Sequence, residues 1–143
     1  MPPDFWPDLQ KIGITYLLML VIGWDREREA HSAGLRTFPI VGIASCGYLL
    51  ILGSNADPAS YSRVLQGLIT GIGFVGGGAI LKDGLNVKGM ATAASIWNAG
   101  VIGSAIAMNR LSIALALAAL NLFTLRTLLP LKGRLDRKDQ PPS

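Results

Sequence analysis

The sequence predicts an all-α protein, a polytopic transmembrane helical bundle of about five spans. Three observations carry this. Half of the 143 residues are hydrophobic and only 15% are charged, against roughly 25% charged in an ordinary soluble domain. Five apolar runs follow one another, none of them interrupted by an acidic residue. The basic residues fall between the runs rather than on one patch, which sets them against a nucleic-acid partner and in favour of a topology signal.

The runs are Leu9 to Trp24, Phe38 to Gly53, Leu65 to Leu81, Met90 to Met108 and Leu111 to Leu129. The first three hold 16 or 17 residues, slightly short of the roughly 20 that a spanning helix needs unless flanking residues extend them. A helix is the form that satisfies the backbone of an isolated run in lipid. With the N-terminus outside, ten Lys and Arg residues lie inside and three, Lys11, Arg63 and Arg110, outside. The C-terminus is then cytoplasmic, and residues 1-130 form one transmembrane domain followed by a short basic tail, 131-143.

The first span follows Met1 to Lys11, which has two acids and a late lysine rather than a basic leader, so it is not expected to be a cleaved signal. The second begins with Thr37 placed to cap a turn containing Pro39. Before the third, Asn55, Asp57, Pro58 and Ser60 supply turn chemistry.

The third span and its neighbour, Gly71 to Trp97, are the most distinctive part. Gly67, Gly71 and Gly78 fall on one helical face, and Gly73, Gly76 and Gly77 spread over the other side. Small residues let membrane helices approach closely, so this helix is expected at the centre of the bundle. Its partner is the fourth span, whose Thr92, Ser95, Ala99 and Gly103 form a small, weakly polar stripe. A short basic loop from Lys82 to Gly89 joins the two. Asn109 is a natural left-handed stop between the fourth and fifth spans, which should pair antiparallel. The fifth is aliphatic nearly all round and should be peripheral, with Arg126 snorkelling at its cytoplasmic end.

Gly71, Gly73 and Gly76 also match the spacing of a dinucleotide fingerprint. That motif requires an acidic residue about 20 positions later within a βα unit, and no Asp or Glu occurs from Gly84 to Leu135. The nucleotide reading fails on context.

The densest polar cluster is Asp25, Arg26, Glu27, Arg28 and Glu29, followed by His31 and Arg36. Asp25 can pair with Arg28, and Arg26 with Glu29, at helical spacing. The cluster reads as a solvated, topology-setting turn or, alternatively, as a functional group around Asp25, with Arg36 near the same level as a basic partner. His31 lacks convergent ligands for a metal. Asn98 and Asn121 read as interhelical hydrogen-bond makers. No nucleophile, base and orienting acid can be assembled, so no catalytic residue, cofactor or metal is expected, and the chain is not expected to be an enzyme. The single cysteine, Cys46, reads as a small buried hydrophobe.

Four blocks occur in order: Gly23-Trp24-Asp25-Arg26-Glu27, Ala33-Gly34-Leu35-Arg36-Thr37, Gly71 to Val75 with Gly76 and Gly78, and Val87-Lys88-Gly89 leading into Thr92 to Trp97. With these blocks the sequence resembles the MgtC/SapB family of bacterial inner-membrane proteins. Asp25 stands where the family pattern usually has Glu, and many members continue into a small soluble domain after the fifth span. The resemblance implies a multipass protein of the inner membrane connected with magnesium limitation, acid stress or survival inside host cells, hence with virulence in some members. In some it implies restraint of the rotary ATP synthase. The expected partners are the lipid bilayer, another membrane complex and further copies of the chain. Regulation of such a complex is the first functional reading, and a small channel or transporter for magnesium or another cation is the second.

Overall fold

The computed structural model describes residues 5–28, 33–53, 56–83 and 86–136. Five helices make up the bundle: α1 (Phe5–Arg28), α2 (Thr37–Leu52), α3 (Pro58–Gly78), α4 (Met90–Ala107) and α5 (Leu111–Asp136), with two short strands, β1 (Leu81–Asp83) and β2 (Asn86–Lys88), between α3 and α4. The five-helix, all-α organisation expected from the apolar runs is what the chain adopts. α1 and α4 are long and apolar enough to cross a membrane, and α2 and Leu111–Thr127 of α5 are shorter apolar helices.

The centre of the bundle differs from the expectation. α4 is the core helix, with eleven of its 18 residues buried, whereas α3 buries only Ile72 and Gly76. The reason lies in where bare α-carbons meet a neighbour. A Cβ on Gly103 of α4 would run into the Gly42 carbonyl of α2 and come within 3.2 Å of the Cys46 nitrogen. On Gly42 it would collide with the Met19 side chain of α1, and on Gly100 with Ile72 of α3. These small residues bring α1, α2 and α3 onto α4, and Met19, Ile22, Phe38, Ile96 and Ile102 fill the space between. The Thr92-to-Gly103 stripe thus meets α2 and α5 rather than the glycine face of α3.

Of the α3 glycines, Gly76 alone lies against another helix, its α-carbon facing the Ala93 carbonyl at 3.1 Å from an ideal Cβ. Gly67, Gly71, Gly73, Gly77 and Gly78 have nothing within 4 Å of that position.

Local signals set most boundaries. Asp57 caps α3: its Oδ1 accepts from the Ala59 and Ser60 amides at 3.0 Å each, and its Oδ2 accepts from Ser60 Oγ at 2.6 Å. These bonds, the Ser60 hydroxyl first, hold the Asp57 carboxyl below its ordinary value. Asn109 takes the left-handed backbone at φ 59° that separates α4 from α5. Thr37, by contrast, does not cap α2; it is the first helical residue, and the preceding Arg36 offers no side-chain cap.

The third apolar run ends earlier than its hydrophobicity suggests. α3 stops at Gly78, where the Ala79 amide turns back to the Gly76 carbonyl at 3.0 Å, and Leu81 opens a hairpin paired Leu81 with Lys88, Lys82 with Val87 and Asp83 with Asn86. Gly89, at φ 91°, then starts α4 so close to Ala79 that a side chain would strike its carbonyl. At the other end of the chain, α5 continues through Pro130 to Asp136, past the expected start of the tail. One proline removes one intrahelical bond, and Leu131, Lys132, Arg134 and Leu135 around it are good helix formers.

Candidate functional site

The charged cluster sits where the last turn of α1 meets α4, α5 and the start of α2. Successive residues of α1 diverge by about 100°, so the cluster splits into two faces. Asp25 and Arg26 point into the bundle, 8% and 1% exposed, while Glu27 and Arg28 lie outside.

Asp25 has a partner that the sequence reading missed. Arg126 of α5 donates from Nε to Asp25 Oδ1 at 2.6 Å, joining residues 101 apart in the chain. The Arg126 side chain is 62% exposed, so it reaches from the bundle surface to a carboxylate at its edge rather than snorkelling freely. Arg36, the expected partner, is exposed. The usable signal was the antiparallel register of α4 and α5, which brings the end of α5 back to the α1 terminus. Glu29 and His31 lie outside the described residues.

Glu27 works outward. Its Oε2 accepts from the Leu35 amide at 3.1 Å, and the Phe38 amide donates to the Gly34 carbonyl at 3.2 Å. A Cβ on Gly23 would approach the Gly34 carbonyl to 3.0 Å, and one on Gly34 would strike the Glu27 carboxylate. Gly23, Glu27, Gly34 and Leu35 together fasten the α1–α2 connection against α1. The carboxylate supplies the acceptor, and the two glycines supply the closeness.

A polar seam runs inward from this end along α4 and α5. Ser95 Oγ donates to Asn121 Oδ1 at 3.0 Å, and Asn98 Nδ2 donates to the Leu117 carbonyl at 3.4 Å. Both amides therefore make the interhelical bonds expected of them. Asp25 Oδ2, Thr92 Oγ1 and Asn121 Nδ2 are buried with no hydrogen-bond partner among the described residues. Among those same residues no three His, Cys, Asp or Glu side chains gather to hold a metal ion.

On the flank, α2 and α3 diverge to leave a groove of about 510 Å³ that opens outward. Its walls are apolar side chains such as Ile40, Val64 and Val75, with Tyr48 at one end and Gly67 and Gly71 along α3. The glycine face of α3 is thus presented to whatever surrounds the bundle. Phe74, in the same helix, is 85% exposed.

Comparison with known proteins gives a consistent answer. The MgtC family model matches residues 12–134. Residue identity is 35% over 89 residues with Protein MgtC of Brucella abortus, covering 62% of this chain and 37% of that protein. It is 32% over 111 residues with Protein MgtC of Salmonella typhimurium, covering 78% and 48%, and 33% over 96 residues with the uncharacterized protein slr0014 of Synechocystis, covering 67% and 41%. The chain thus spans less than half the length of these curated relatives. No solved structure matches. A family match over nearly the whole chain, joined to a bundle whose α1–α2 staple and α3–α4 hairpin are built from the motif residues themselves, establishes that the chain belongs to the MgtC family.

Proposed function

We propose that this protein is a multipass protein of the bacterial inner membrane that regulates another membrane complex by binding it, and that it is not an enzyme. The observation that carries the reading is the outward face of α3. Gly67 and Gly71 there have open space over their α-carbons and line an apolar groove. Such a surface lets a partner helix approach backbone to backbone, the packing that drives helix association in lipid. The positive-inside count puts the Asp25 end in the cytoplasm and the N-terminus outside. The Brucella abortus and Salmonella typhimurium relatives carry the name MgtC, and the family resemblance makes the ATP synthase, under magnesium limitation or acid stress, a partner to test first.

The cation-channel reading is weaker because of Asp25. Its charge is met by Arg126 at 2.6 Å, and the neighbouring Arg26 is buried. A cation drawn to that carboxylate would have to displace a guanidinium.

The test is photocrosslinking in native membranes from position 74, alongside cation flux into liposomes. Regulation by binding requires crosslinks to a defined membrane complex that disappear with Gly71→Leu. Crosslinks to lipid alone, together with flux abolished by Asp25→Asn, would replace it with the transport reading.

A further inference from the structure

The bundle end opposite Asp25 carries a second site that the regulatory reading does not use. There α1 begins and α2 and α4 end, around a pocket of about 320 Å³ lined by Asp8, Lys11, Gly53, Tyr61, Ala107 and Asn109. The volume is at the lower end of those that hold small ligands.

It holds an acid and a base one turn apart on α1, Asp8 and Lys11. Asp8 is half-buried, and its carboxylate has no hydrogen-bond or ion-pair partner among the described residues. The C-terminal ends of α2 and α4 both reach the pocket, bringing the negative ends of two helix dipoles to the same place. Lys11 and Tyr61 already donate to the helix-end carbonyls of Ala107 and Gly53, so the Asp8 carboxylate is the acceptor left for a hydrogen-bonding cation. Lys11 lies one turn along α1 from Asp8 and reaches the end of α4. Its Nζ donates to the Ala107 carbonyl at 3.3 Å, which leaves two of its three N–H donors available. The Tyr61 hydroxyl donates to the Gly53 carbonyl at 3.3 Å and can still accept.

A ligand matching this pocket carries a primary ammonium and an anion a few bonds apart. The position of the pocket at the bundle end says where such a ligand comes from. Phe5 and Trp6, packed edge to face at 5.4 Å and both exposed, precede it in α1, and Tyr61 lines it. Aromatic side chains of this kind concentrate at the headgroup level of a bilayer. We propose that the pocket binds the headgroup of a zwitterionic phospholipid bearing a primary ammonium, with the ammonium at Asp8 and the phosphate at Lys11. This rests on the membrane-embedded orientation proposed above and adds a lipid ligand in the outer leaflet. A quaternary ammonium cannot donate to this acceptor, so a choline headgroup binds more weakly.

The experiment is thermal unfolding of the full chain in detergent with phosphatidylethanolamine, phosphatidylcholine or phosphatidylglycerol added at equal mole fraction, and with soluble O-phosphoethanolamine. Binding to the folded state raises the melting temperature, so phosphatidylethanolamine is expected to raise it by several degrees more than the other two lipids. Asp8→Asn should erase that preference. Because Asp8 has no partner to lose among the described residues, the variant is expected to fold, and its unshifted melting temperature without lipid checks that. Equal shifts from all three lipids, or a preference that survives Asp8→Asn, would overturn the proposal. So would a full shift from O-phosphoethanolamine without any effect of the intact lipid. These readings need no protein partner, so a failed crosslinking experiment leaves them interpretable.

Discussion

Replacing Gly103 with alanine is the sharpest perturbation of the architecture. The added Cβ meets the Gly42 carbonyl and sits 3.2 Å from the Cys46 nitrogen. Both belong to α2 backbone, which cannot rotate away as a side chain would. α2 and α4 must move apart at their crossing, loosening Cys46, Ala99 and Ile106, which are essentially buried there. Overpacking a well-filled core costs about 1–3 kcal/mol. Against this stands a gain of about 1 kcal/mol in helix propensity for any Gly→Ala change within a helix, so a net loss of roughly 0–2 kcal/mol is expected at Gly103. Gly73→Ala provides the control: with open space over its α-carbon, it should keep the propensity gain alone. The two variants should therefore differ by about 1–3 kcal/mol in stability, a difference of roughly 3–10 °C in melting temperature for a chain of this size. Thermal unfolding in detergent micelles, followed by helical circular dichroism, measures it. If Gly103→Ala melts as high as Gly73→Ala, the α2–α4 crossing is not the tight contact of the bundle.

Asp25→Asn and Arg126→Gln should each weaken the tether between α1 and α5 by about 1–2 kcal/mol, the value of a charged hydrogen bond reduced for an exposed partner; the double variant should lose little more than either single one, and additive losses in detergent unfolding would refute the pairing. Thr92→Val removes a buried hydroxyl that has no partner among the described residues, so the protein should be as stable or more stable; a marked fall in melting temperature would show that the hydroxyl is bonded. Asp57 contributes stability as the carboxylate. With its value lowered in the fold from the ordinary 3.8, the contribution is complete above that figure and disappears as the pH falls through the lowered value. Hydrogen exchange of the first α3 turn should therefore be faster in Asp57→Ala than in the wild type at pH 7, with the two converging in strong acid.

The apolar runs revealed the number and order of helices because each is a long apolar stretch with no acid within it, which lipid accommodates as a helix. They were less informative about which helix lies at the centre. Glycine marks a possible close approach, and Gly73 and Gly103 look alike in a sequence; only the path of the neighbouring backbone shows that Gly103 meets α2 while Gly73 meets nothing within 4 Å. The Asp25–Arg126 pair was hidden for a related reason, since it closes across 101 residues and depends on the register of three helices. The hairpin after α3 left a readable trace that hydrophobicity masked: Asp83 followed by a glycine is a turn signal, yet Leu81 extends the apolar run before it. Short-range chemistry was clearer. The Asp57 turn and the Asn109 stop were both visible, because each is set by a few neighbouring residues.

The crossing of α2 and α4 also carries its own reporter. Cys46, the only thiol in the chain, is 0% exposed and lies directly beneath Gly103. A thiol-reactive dye can reach it only while the helices packed around it are parted, so the rate of labelling counts openings of the interior in an unmodified protein. The same clock can be read in a living cell's membrane, with a bound partner or lipid altering its speed before any melting curve is recorded.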